Sequence, residues 1–195
     1  MLNAFRKKIE KHTPISDEQW EHIKKDCSVM NVKKKEVLIK YAEMNKNLFF
    51  IVSGSFEISL VSKNGESKTV WFFLDDLFNI ICCLDSIFLE ELTKYEVTAI
   101  EDATIIKFSY SSIESWANTY PHLNEFIRRD VLNDLVILFE IRNHMSSHTP
   151  IEFIMYLKEK FPIILHRIPD KNIARLMGIT PEWYSKMQKK LADLN

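Results

Sequence analysis

Apolar residues change their period twice along this chain, and the two changes divide it into three stretches. Near the N-terminus, Ser16-Asp17-Glu18-Gln19-Trp20 follows Pro14 and reads as a capped helix start that turns Trp20, Ile23 and Cys27 inward. From Val32 the period shortens toward two. Val37, Leu38, Ile39 and Tyr41 predict a strand. Residues 48–60 predict two strands meeting at Gly54, with Phe56, Ile58 and Leu60 alternating onto one side. Asn64-Gly65 carries the signal of a type I′ hairpin, whose two central residues both need positive φ, and the return strand covers residues 68–73. After Glu101-Asp102, residues 103–108 predict one more strand. The period then lengthens to a helical one. Ser109 opens a short helix through Trp116, and Pro121 starts a long one that runs to about Met145.

The middle of that long helix, residues 131–141, is apolar on nearly every side. A helix lying on one side of a single chain shows one stripe, so this one needs cover on two sides. Two arrangements supply it: a seam between two copies of the chain, or burial within one larger domain. Ser146-Ser147-His148-Thr149-Pro150 reads as a linker into a last helical region, residues 151–195.

Within that region, Asp170 is a helix N-cap, and Ile173, Ala174 and Met177 form one apolar face. Gly178 supplies the positive φ of a tight inter-helix turn, and Ile179 plugs the core behind it. Thr180 caps a second helix with Pro181 at its first position. On that helix Tyr184, Met187 and Leu191 share one face, while Glu182, Lys186 and Lys189 take the opposite one, flanked by Trp183, Ser185 and Lys190. Periodicity alone fits a helix-turn-helix that enters a DNA groove and equally an ordinary helical hairpin with a solvated lysine face. Charge favours the first. Residues 166–191 carry six fixed cations (Arg167, Lys171, Arg175, Lys186, Lys189, Lys190) against Asp170 and Glu182, an excess of four on a chain whose formal charge is -1. Phosphate attraction follows local potential rather than the total.

Composition narrows the class. The chain has 195 residues, 46% hydrophobic and 27% charged, as a soluble globular protein does. No apolar run nears the roughly 20 residues of a membrane span, and Asn133, Asp134 and Glu140 interrupt the longest candidate. The first residues lack the apolar core of a signal peptide, so the expected location is the cytoplasm. Three cysteines, Cys27, Cys82 and Cys83, suit a reduced compartment, and Cys82-Cys83 in an apolar run read as buried small hydrophobes. His144 and His148, one turn apart, read as solvated residues at a helix end rather than metal ligands. Residues 32–108 contain no histidine, against a metal-dependent cupin enzyme, and no nucleophile elbow, phosphate loop or dinucleotide loop occurs. No catalytic residue, metal site or cofactor is expected.

Three sets of residues in this order resemble the Crp/Fnr family: Phe50-Ile51-Val52-Ser53-Gly54-Ser55, then Ala99-Ile100-Glu101-Asp102, then Ile173-Ala174 with Gly178-Ile179-Thr180, Glu182 and Tyr184-Ser185-Lys186. The likeness covers nearly the whole chain. It implies an α+β architecture: an N-terminal double-stranded β-helix, the jelly roll of cyclic-nucleotide sensors, over residues 1–120 with flanking helices; a long dimerisation helix over 121–147; and a helix-turn-helix domain over 148–195. With four residues after Leu191, that domain is expected to lack a full β-hairpin wing. The implied function is a homodimeric transcription regulator that reads a near-palindromic DNA site. RNA polymerase and a small-molecule effector are further implied partners, and a ligand-binding or interaction module that does not bind DNA is the alternative.

Departures from the family pattern fall in the effector pocket. The family's phosphate-binding Gly-Glu segment aligns with Asp75, Asp76, Leu77, Phe78 and Asn79, and its phosphate-pairing Arg aligns with Thr93, beside Lys94. Arg makes a bidentate, charge-assisted contact of about 1.5–3 kcal/mol that Thr cannot reproduce, and the added carboxylates repel phosphate. Cyclic AMP is therefore not expected to bind. The pocket is either empty or takes another ligand, with Lys94 as its anion anchor. For DNA, the resemblance gives Glu182 to a cytosine amine, puts Lys186 in place of an Arg that reads guanine bidentately, and makes Ser185 a phosphate or backbone contact. Thr180, Trp183, Lys189 and Lys190 complete the expected contact set.

Overall fold

The computed structural model describes residues 1–192. Two helices, α1 (Leu2–Glu10) and α2 (Asp17–Ile23), lead into eight strands: β1 (Ser28–Val32), β2 (Val37–Ile39), β3 (Asn47–Ser53), β4 (Ser55–Val61), β5 (Ser67–Leu74), β6 (Ile80–Cys82), β7 (Tyr95–Ala99) and β8 (Ala103–Ser109). A short α3 (Leu84–Phe88) interrupts them. Then follow α4 (Tyr110–Thr119), α5 (Leu123–Ser147), α6 (Pro150–Lys160), α7 (Pro162–Arg167), α8 (Asp170–Leu176) and α9 (Pro181–Ala192). The strands form two antiparallel sheets, ordered β1-β8-β3-β6 and β2-β7-β4-β5. This is the α+β jelly-roll arrangement that the sequence implies, with a helical C-terminal region.

Gly54 alone separates β3 from β4, at one of the places where the chain crosses from one sheet to the other. Its φ is +113°, and a Cβ there would lie 2.4 Å from that of Ala103, so only glycine fits. Alternation along β3 then sends Phe49 and Ile51 into the roll, where they meet Phe56, Ile81, Val97 and Ile105. Leu48 and Phe50 face the other way, against Phe5, Ile9, Trp20, Ile23, Trp116 and Phe126 of the flanking helices. Ser16 caps α2 with a reciprocal Gln19 bond, as expected, and Ser109 caps α4.

Several expectations need correction. Asn64 does not adopt positive φ; only Gly65 does, so the β4–β5 turn is not type I′. The Gly65 N–H bonds to the Ser62 carbonyl and the Ser62 N–H to the Glu66 carbonyl, closing a longer loop with glycine at its left-handed position. A register shift at Ile58/Ser59 breaks the β4 alternation and leaves Leu60 exposed. Tyr41 lies beyond β2 and is exposed. Cys27 is only half-buried. Asp170 is the first helical residue of α8 rather than its cap, because Pro169, at ψ 140°, already holds the last extended position. The linker shrinks to His148 and Thr149: α5 continues to Ser147, and Thr149 caps α6 with Glu152. Residues 193–195, on which the expectation about the wing bears, lie outside the described residues.

The long helix α5 buries Leu123, Phe126 and Ile141 against the rest of the chain. Between them Val131, Leu132, Leu135, Val136, Leu138 and Phe139 are exposed, Val136 to 65% and Phe139 to 57%. They recur at intervals of three and four and make a double apolar column that none of the described residues covers. No described helix is long and apolar enough to cross a membrane.

Candidate nucleic-acid interface and effector site

The turn between α8 and α9 closes as the sequence predicts. Gly178 sits at φ +68°; its N–H bonds to the Arg175 carbonyl at 3.1 Å, and the Ile179 N–H bonds to the Ala174 carbonyl at 3.0 Å. That pair of bonds is the Schellman arrangement, which satisfies the last carbonyls of a helix. Ile179 follows as a half-buried plug. The Thr180 hydroxyl accepts the Trp183 N–H at 3.2 Å, capping α9, and the same hydroxyl with the Glu182 N–H holds the Glu182 carboxyl below its ordinary range. Tyr184, Met187 and Leu191 are buried, Tyr184 completely. Thr180, Glu182, Trp183, Ser185, Lys186, Lys189 and Lys190 are all exposed, so every expected DNA contact lies on the outer side of α9 or at its start. Among the described residues, none of its three lysines makes an ion pair.

Other charges of this unit face inward, toward the roll. Arg167, at the end of α7, donates to Asp75 at 3.0 Å and to Glu101 at 2.6 Å. Its guanidinium is held above its ordinary pKa, first by the Glu101 bond. On β4, Glu57 is a buried carboxylate that accepts from Thr69 and from the Asn172 amide at 2.5 Å, and it forms an ion pair with Arg175 at 3.5 Å. Asn172 is itself buried. One continuous apolar core, including Trp71, Phe72, Leu74, Ile141, Phe153, Ile173 and Tyr184, joins β5 to α5–α9. The local excess of four charges is thus smaller in space than in sequence, since Arg167 and Arg175 meet roll carboxylates. The pairing of Glu57 and Glu101 with this unit escaped the sequence reading: Arg167 lies 66 residues from Glu101 and Asn172 lies 115 from Glu57.

The expected effector positions separate into two groups. Asp75 bonds to the Gly54 N–H through one carboxylate oxygen and to Arg167 through the other. Asp76 is exposed, and the Leu77 N–H bonds back to Leu74 in a tight turn. Phe78, at φ +55°, stands edge-on to Trp71 at 5.7 Å, and the Asn79 amide donates to the Asp75 carbonyl. The other group is elsewhere. Thr93 is 1% exposed, and its backbone bonds to Ala42 and Glu43. Lys94 pairs with Glu91 at 2.9 Å, which raises its pKa. No hydrogen bond or ion pair joins the two groups among the described residues.

Residues 29–120 match the family model of the cyclic nucleotide-binding domain. This segment belongs to that family. A search of curated proteins finds no match. Among solved structures, FixK2 from Bradyrhizobium japonicum is similar with a TM-score of 0.69 at 15% identity, over 86% of this chain and 85% of that one. The c-di-GMP-responsive global regulator CLP of Xanthomonas campestris, which links cell–cell signalling to virulence gene expression, gives 0.68 at 13% identity over 91% and 92%. A CooA mutant from Carboxydothermus hydrogenoformans gives 0.65 at 15% identity over 96% and 84%. At such identities the likeness establishes a shared fold, and it spans both the roll and the helical region.

Within the cyclic nucleotide-binding domain the two adjacent thiols part company. Cys83 lies in the roll interior, while Cys82, on the other face of β6, borders the flanking helices. Burial raises both thiol pKa values, that of Cys82 to about 11, so neither is a ready thiolate. The expectation that both are fully buried holds for Cys83 alone. The histidines just beyond the domain also differ from expectation. His148 is exposed, but the His144 ring stacks on Tyr156 at 3.7 Å and is only partly solvated.

Proposed function

We propose that the chain is a homodimeric, sequence-specific DNA-binding transcription regulator of Crp/Fnr type, acting in the cytoplasm and without enzymatic activity. In this reading residues 1–120 sense, 121–147 pair two copies, and 148–195 read DNA. The observation that carries it is α9: a capped helix with a buried Tyr184–Met187–Leu191 face, which holds Glu182, Ser185, Lys186, Lys189 and Lys190 in solvent. A basic second helix on a packed first helix is the form that enters a major groove. The uncovered apolar columns of α5 support a two-fold partner, and a two-fold reader calls for a near-palindromic site. RNA polymerase is the further macromolecular partner. Arg167 and Glu57 would carry the coupling between roll and reader, typically about 1–3 kcal/mol.

The effector remains a molecule other than cyclic AMP, if the roll takes one. Asp75 already neutralises Arg167, and Lys94 already pairs with Glu91, which leaves no free cation for a cyclic phosphate among the seven expected residues. A thermal-shift titration is expected to give no response to cyclic AMP; a rise of several degrees would overturn this part.

Salt-titrated binding to genomic DNA fragments tests the main reading. Sequence preference is expected, and Lys186→Ala should weaken binding about 5- to 30-fold, the range of one lost side-chain contact. Binding without preference, or unchanged in the variant, would refute it. The second reading, an interaction module whose helical end only packs, draws on the inward-facing Arg167 and Arg175. It predicts the refuting result.

A further inference from the structure

A cavity of about 220 Å³ lies between the outer face of the first sheet, α1, α4 and the first turns of α5. Phe5, Leu48, Phe108, Trp116, Phe126 and Val131 give it apolar walls. None of the effector residues expected from the sequence lines it. The space is partly open to solvent, and its size and apolar walls suit a small apolar body, since an apolar cavity of roughly 150 Å³ already binds benzene.

One end of the cavity is polar, and its charges do not balance. Asp130, 7% exposed, pairs with Lys8 of α1. Asp134, one turn further along α5, also lines the space and carries no ion pair among the described residues. Lys8, Asp130 and Asp134 together leave one carboxylate without a cation. The remaining walls include the aromatic residues Phe5, Trp116 and Phe126.

We propose that this cavity binds a small molecule with an aromatic or alkyl body and one protonated amine, the amine pairing with Asp134. Carboxylate and phosphate ligands are repelled by the same group. The site is independent of DNA binding and of the effector positions in the roll. It also has a route to the rest of the molecule: Val131 lines the cavity and is the first residue of the uncovered α5 columns. A bound body therefore sets the position of the helix surface offered to a second copy.

The test uses three probes of nearly one shape: 3-phenylpropylamine, 3-phenylpropan-1-ol and 3-phenylpropanoate, measured by calorimetry on the full chain. The amine is expected to bind at least tenfold more tightly than the alcohol, and the carboxylate not at all. Ile127→Trp, which fills the cavity from the α5 side, should abolish binding of amine and alcohol alike. Asp134→Asn should bring the amine down to the alcohol. No binding by any probe, equal binding of amine and carboxylate, or unchanged binding in Ile127→Trp would overturn the proposal. The three-probe comparison on the unaltered chain decides the matter even if a variant fails to fold.

Discussion

The two helices of the C-terminal pair treat their polar groups in opposite ways. On α8, Asn172 and Arg175 turn to Glu57 of the roll, and Arg167 just before it turns to Asp75 and Glu101. On α9, Glu182, Lys186, Lys189 and Lys190 turn to solvent. In the proposed function, the difference separates anchoring from DNA contact. Buried, mutually bonded polar groups fix position, because removing one partner leaves another unsatisfied. Exposed and unpaired cations cost little in the free protein and stay available to a phosphate or a base.

The strongest way to break this contrast is to remove what both helices pack on. Tyr184→Ala deletes a completely buried ring and should cost about 3–5 kcal/mol in denaturant unfolding. Next comes the anchor itself. Glu57→Ala leaves the Asn172 amide buried without its acceptor and should cost about 1–3 kcal/mol, read in the same experiment. If both changes cost under 0.5 kcal/mol, the roll and the reader are not joined as described. Lys186→Ala should shift stability by no more than about 0.5 kcal/mol while weakening DNA, which separates the two roles within one measurement set.

Asp134 falls between the two cases, half-buried and with no ion pair among the described residues. Burial, and then Asp130 nearby, push its carboxyl up to about 6. A raised carboxyl means the folded state holds the proton more tightly than the unfolded chain. The resulting stability is fully present below the unfolded value near 3.8 and is lost as pH rises through about 6. Asp134→Asn should remove that pH dependence and gain about 1 kcal/mol at pH 7.5, a figure reduced for the solvent that reaches a partly exposed group. Thermal unfolding across pH 4 to 8 reads the effect. A variant with the same pH profile as the parent would place the titrating group elsewhere.

What the sequence revealed and what it withheld follow from the range of the interactions. Gly54, Gly178 and the Ser16 and Ser109 caps were legible, since each is a local backbone demand met by neighbouring residues. The face of α9 was legible by period. Elements with weak or short patterns were not: β1 exposes four of its five residues, β6 has three residues, and α3 has five. In α1, Phe5 and Ile9 at helical spacing were the signal that went unread. The inward charges were beyond reach. Nothing local to Arg167 indicates Asp75, 92 residues away. A charge count along the chain therefore overstated what α8 offers to DNA and gave no sign of an unpaired carboxylate beside a cavity.

Gly54 has a mechanical consequence. It alone separates β3 of one sheet from β4 of the other, so the two sheets are one ribbon at that residue. Asp75 grips its N–H, and Glu101 grips the hydroxyl of Ser55 next to it. The same two carboxylates hold the two ends of one guanidinium at the root of α8. A guanidinium is a rigid, planar fork, so the two carboxylates that it bonds are held at one separation. The crossing at Gly54–Ser55 and the end of α7 are thus tied together through one side chain, Arg167.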